Sequence, residues 1–117
     1  MKKRPGAKIA VGTITDLQNY IGKKIKERGF EDESLHERLL LLTEEVGELI
    51  NACRHISGMN VDKKRASRNE IGEEVVDVIN MVFAVGIALR LNIEKEFVSK
   101  EKRIDKRIYK RSVDKTK

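Results

Sequence analysis

The chain has 117 residues, enough for one domain and too few for two separate cores. Apolar residues make up 39% and charged residues 38%, with 4% aromatic, one Pro and no Trp, which argues against an aromatic-rich β-sandwich and for a helical protein. The net charge of +6 by itself points to a nucleic-acid partner, but residues 1–8 and 99–117 hold 13 basic and 3 acidic groups while residues 9–98 hold 12 and 16. The body is acidic and the ends are basic, so the two need separate explanations.

In chain order, residues 1–12 read as a basic N-terminal arm. A first helix is predicted after the cap Thr13, with Asp16 in its first turn, an apolar stripe of Ile14, Leu17, Ile21 and Ile25, and a stop at Gly29. Ser34 and Glu37 form a capping-box pattern for a second helix from Leu35 to about His55. Ser57-Gly58 ends it, and Met59 to Ala66 reads as a loop. Ser67 and Glu70 repeat the start signal for a third helix to about Leu91. Asn92 is placed to close that helix and cap a fourth, from Ile93 to roughly Lys110. The expected architecture is all-α, a four-helix up-down bundle over 13–110 with a basic tail at 111–117. Gly22, Gly47, Gly72 and Gly86 all fall inside predicted helices, at ~1 kcal/mol each relative to Ala, so close helix–helix approach is expected at some of them. The run Leu39-Leu40-Leu41-Leu42 is apolar on too many sides for one small bundle to cover, which predicts oligomerisation. No apolar run approaches the ~20 residues of a membrane span, and Met1-Lys2-Lys3-Arg4 leads into Pro5-Gly6 instead of an apolar signal segment. A lone Cys53 makes no internal disulfide, so the expected location is the cytoplasm.

The chemistry lies in two acidic runs, Glu44-Glu45-Val46-Gly47-Glu48 and Glu73-Glu74-Val75-Val76-Asp77. At about 100° per residue, Glu45 and Glu48 are about 60° apart, and Leu41, Leu42 and Ala52 all fall within about 60° of Glu45. Glu74 and Asp77 are likewise about 60° apart, with Val78, Met81, Val85 and Ile71 within about 60° of Glu74. Both pairs therefore lie in apolar stripes, where unpaired carboxylates are costly. Four of them converging would repel one another and take up protons unless a divalent cation lay between them. An oxygen-only donor set favours Mg²⁺, or Mn²⁺, over Zn²⁺, and neither helix carries the Glu-x-x-His of a di-iron site. Mg²⁺ held by carboxylates usually takes phosphate oxygens as further ligands, so the residues point to phosphoanhydride hydrolysis.

At these residues the sequence resembles the MazG-like family of all-α nucleotide pyrophosphohydrolases, whose hallmark is Glu-x-x-Glu on one helix and Glu-x-x-Asp on the next. Leu42 to Leu49 is similar to the first motif and Glu73 to Ile79 to the second, and the similarity runs over about residues 13 to 109. The resemblance implies Mg²⁺-dependent hydrolysis of a nucleoside triphosphate to the monophosphate and pyrophosphate, in a nucleotide-pool housecleaning role. It implies that Glu45, Glu48, Glu74 and Asp77 ligate metal, with Glu44 a further ligand or the base that orients water. Lys100 matches a family lysine that could hold a phosphate, whereas Ile104 stands where the family commonly has Asn, with Arg103 and Arg107 nearby. Asn80 is placed to reach sugar or base, or to bond between helices, and His55 stands where some relatives place a stacking aromatic. Family members are dimers or tetramers, so a homodimer or homotetramer is expected. The alternatives are a non-enzymatic helical module binding nucleic acid through its basic termini, and a phosphoribosyl-ATP pyrophosphatase.

Overall fold

The computed structural model describes residues 12–54 and 68–107. They form four helices and no strand: α1 (Ile14–Glu27), α2 (Leu35–Arg54), α3 (Arg68–Ala88) and α4 (Ile93–Lys106). The basic arm, His55, the loop after it and the C-terminal tail lie outside the described residues.

The first two start signals act as read, while Ser67, read as the start of the third helix, lies outside the described residues. Thr13 accepts from the Asp16 amide, and the Asp16 carboxylate accepts from the Thr13 amide, a complete capping box. Ser34 and Glu37 exchange the same pair of bonds at the start of α2. The two stops differ in the residue that makes the turn. Gly29, at φ 79°, closes α1 in a Schellman turn in which the Phe30 amide donates to Ile25 O. α3 ends in the same way, with the Leu91 amide donating to Gly86 O, but Arg90 occupies the left-handed position at φ 57°. Asn92 therefore caps α4 only, accepting from the Lys95 amide, and α3 ends three residues before the expected Leu91. The reason is local: the turn is made by Arg90, a residue type that carries no stop signal.

α2 and α3 form a hairpin. The buried Arg38 of α2 donates from Nη1 to Ala84 O of α3 at 2.6 Å. α1 lies along α3, with Gln18 Nε2 donating to Leu91 O and its Oε1 accepting from the Ile93 amide. Gly22 faces Ile87, since a Cβ there would stand 3.6 Å from Ile87 Cδ1. From these contacts α1 runs antiparallel to α3 and comes level with about Val82 at its last residue. It covers only the C-terminal half of α3. Ile21, Phe83 and Ala84 are buried there, whereas Val75, Val76, Ile79 and Val82 are exposed.

α4 packs against α1 and turns by 100° from α3, so the chain closes less of a bundle than an up-down arrangement would. A Cβ on Gly86 would meet Ile93 Cδ1 at 2.8 Å, so close approach accounts for glycine at this corner. A Cβ on Gly47 or Gly72 would meet nothing among the described residues, which leave both glycines without a structural explanation. No large side chain among the described residues is sealed from solvent, and α4 buries none of its residues. Leu39 and Leu40 of the leucine run are exposed, and Leu41 and Leu42 are half-buried. Among the described residues no single helix is long and apolar enough to cross a membrane.

Candidate metal centre

The Arg38–Ala84 contact sets the register of the hairpin. Seven residues along both helices it brings Glu45 level with Asp77, and ten residues along it brings Glu48 level with Glu74. Carboxylate oxygens of Glu45, Glu48 and Glu74 lie within 4.8 Å of one another. Carboxylate oxygens this close together could all reach one small divalent cation. Asp77 lies outside that group of three, but its charge is the first of those acting on Glu45.

The electrostatics follow from crowding. Burial, followed by the charges of Asp77 and Glu48, raises the Glu45 pKa above its usual value. Burial, followed by the charges of Glu48 and Asp77, does the same to Glu74, with a side-chain hydrogen bond to Glu48 adding to the effect. Oε2 of Glu45 and Oε2 of Glu74 are sealed from solvent with no hydrogen-bond partner. An orphaned, buried carboxylate oxygen is costly, and a divalent cation is the partner that satisfies several at once. The donor set is all oxygen, which suits Mg²⁺ or Mn²⁺.

The inward stripes hold for Glu45, Glu74 and Asp77, which are half-buried beside half-buried Leu41, Val78, Met81 and Val85. Glu48 is the exception. It is exposed, at the rim of the cluster. Glu44 is also exposed and acts on Glu45 through its charge, and Glu73 is surface. Asn80 is half-buried one turn beyond Asp77. Lys100 and Arg107 are exposed on α4 and at its end, on the helix that packs against α1, so the chain does not bring them to the carboxylates. Of the other side chains with a ring that could stack on a base, Tyr20 lies on α1 under Lys24 Nζ at 5.6 Å and Phe30 precedes α2, both in the half remote from the acidic cluster, and His36 is exposed near the start of α2.

The sequence reading missed Arg38. The residue is 4% exposed, with Nη2 making a long 3.5 Å contact to Phe30 O and Nε left without a partner among the described residues. The signal was present, since Arg38 is about 20° from Glu45 on the same inward stripe. The carbonyl end of α3 suits a buried cation through the helix dipole.

Four helices without a strand among the described residues, carrying a carboxylate cluster across the central hairpin, match the architecture of the all-α nucleoside-triphosphate-pyrophosphatase type. The sequence profile described as "dUTPase" matches residues 11–115, and the chain belongs to that family. The match supports the broader nucleotide-pyrophosphatase relationship that the motifs suggest and carries the dUTPase description, not the MazG-like one. The fold is similar to the crystal structure of YPJD from Bacillus subtilis, a pyrophosphatase candidate. The TM-score is 0.71 at 22% identity, over 85% of this chain and 99% of that one. No curated protein matches the chain at a significant level.

Proposed function

We propose that the protein hydrolyses a nucleoside triphosphate to the monophosphate and pyrophosphate, with Mg²⁺, as a nucleotide-pool housecleaning enzyme. The observation that carries this is the meeting of Glu45, Glu48 and Glu74 within 4.8 Å, with two oxygens buried and unpartnered. The family description makes deoxyuridine triphosphate the first substrate to test. Glu45, Glu48, Glu74 and Asp77 would hold the cation. When bound, it would neutralise the carboxylates, take phosphate oxygens and acidify water. Glu44, exposed beside the cluster, would orient the attacking water and accept its proton at a carboxylate oxygen. Lys100 and Arg107 would contact phosphate, and Asn80 and His55 would contact the sugar or base. The expected assembly is a homodimer or homotetramer, supported by the exposed apolar side chains of α2 and α3.

A screen of canonical, deoxy- and modified nucleoside triphosphates, with pyrophosphate detection and Mg²⁺ or Mn²⁺, tests the proposal. Turnover that requires metal and is lost in Glu48→Ala and Asp77→Ala is the expected result. No turnover of any nucleotide, or full activity in both variants, overturns it. Including phosphoribosyl-ATP in the screen separates that alternative. Nucleic-acid binding that survives loss of the four carboxylates would favour the non-enzymatic reading.

A further inference from the structure

Arg38 is a buried cation for which the carboxylate chemistry has no direct use. Both of its hydrogen bonds go to main-chain carbonyls: Nη1 donates to Ala84 O of α3 at 2.6 Å, and Nη2 makes the long contact with Phe30 O, in the turn after α1. An apolar side chain of similar length, such as Met, would fill the same place without the cost of desolvating a charge. What Met would lose is direction. Apolar contacts are non-directional and tolerate sliding, whereas a guanidinium fork fixes its partners atom by atom.

Direction matters because of what lies along the seam. From Arg38 toward the carboxylates the facing positions are Leu41 with Met81 and Leu42 with Asn80, all half-buried. Glu45 with Asp77 and Glu48 with Glu74 come next. Leu41, Leu42 and Met81 slide easily past one another, α1 stops short of this level, and the carboxylates repel. Metal ligation, by contrast, asks for donor distances kept to about 0.2 Å, against a helical rise of about 1.5 Å per residue. A slip of α2 on α3 by a fraction of a residue would draw Glu45 and Glu48 away from Glu74 and leave both helices intact. We propose that Arg38 is a positioning residue for the metal centre. Standing about 10 Å along α2 from Glu45, it holds the register that gathers the carboxylates and touches neither metal nor substrate. The inference rests on the proposed metal site. Charge alone would act in the opposite direction, since a buried cation repels a divalent ion and its removal would tighten binding.

The deciding measurement is the affinity of the folded protein for Mn²⁺ alone, read from the electron paramagnetic resonance signal of the free ion without nucleotide. Arg38→Met is expected to weaken binding about ten-fold or more, while its urea midpoint stays near or above that of the wild type. Arg38→Lys, which keeps a donor for Ala84 O, is expected to fall between the two. A Met variant that binds as tightly as the wild type overturns the proposal and leaves Arg38 a structural residue. One that binds more tightly overturns it too, and makes Arg38 a repelling charge. A Lys variant as weak as the Met variant does the same, because the bond to Ala84 O is then not what holds the site. Should Arg38→Met not fold, Arg38→Gln, too short to reach Ala84 O, takes its place with the same loss expected. A wild type that binds no Mn²⁺ overturns the metal centre and this role with it. Wild-type binding that survives in the variants overturns the role of Arg38 alone.

Discussion

The two halves of the α2–α3 hairpin are built on opposite terms. In the half next to α1, a third helix covers the seam, Ile21, Phe83 and Ala84 are buried, and one buried cation, Arg38, is tied to a carbonyl of α3. In the other half no described helix covers the seam, Val75, Val76 and Ile79 face solvent, and the polar groups are carboxylates that repel. The covered half holds the helices in register. The bare half is where that register brings like charges together, so stability is made in one place and the proposed site lies in the other.

The largest expected effect is on activity in the bare half. Glu74→Ala and Glu48→Ala should each lower pyrophosphate release by roughly a hundred-fold or more, measured at saturating Mg²⁺. Retained activity would mean that the cluster is not the reacting site. Next comes the covered half. Arg38→Ala should cost about 2 to 4 kcal/mol in urea unfolding, because it empties a packed position and removes the tie to Ala84 O.

A pH effect should follow from the raised carboxyls. Glu45 and Glu74 bind protons more tightly folded than unfolded, so the metal-free protein should lose stability as pH rises above the usual carboxyl value of 4.5. Thermal melts at pH 4.5 and pH 7 check the sign. Mg²⁺ should raise the melting temperature at pH 7 in the wild type and not in Glu74→Gln. A melting temperature that rises with pH in the absence of metal would show that the charges are relieved in another way.

The smallest effects separate the halves by their glycines. Gly72→Ala and Gly47→Ala meet open space and should stabilise the isolated chain by up to ~1 kcal/mol. Gly86→Ala places its Cβ 2.8 Å from Ile93 Cδ1 and should gain less or destabilise, read in the same unfolding titrations. Destabilisation at Gly72 or Gly47 would instead show that a second copy packs closely there.

Much of this was legible in the sequence. Thr13 with Asp16 and Ser34 with Glu37 announced two helix starts, because a capping box needs only residues three apart. The inward direction of Glu45, Glu74 and Asp77 followed from helical periodicity. The Arg90 turn was not legible, since a non-glycine in the left-handed region leaves no compositional trace. Nor was the exposure of Glu48, which angular position alone does not decide, since it depends on which other elements pack beside it.

The sequence by itself determined the local terms: four helices, most of their ends, and which faces carry the carboxylates. Periodicity and capping act over one or two turns, and one chain contains all the information they need. Only the tertiary structure decided the register that puts Glu48 level with Glu74, how far along α3 the cover of α1 extends, and the 100° turn that carries Lys100 away from the carboxylates of the same chain. Those depend on contacts between residues tens of positions apart, whose geometry no local pattern encodes.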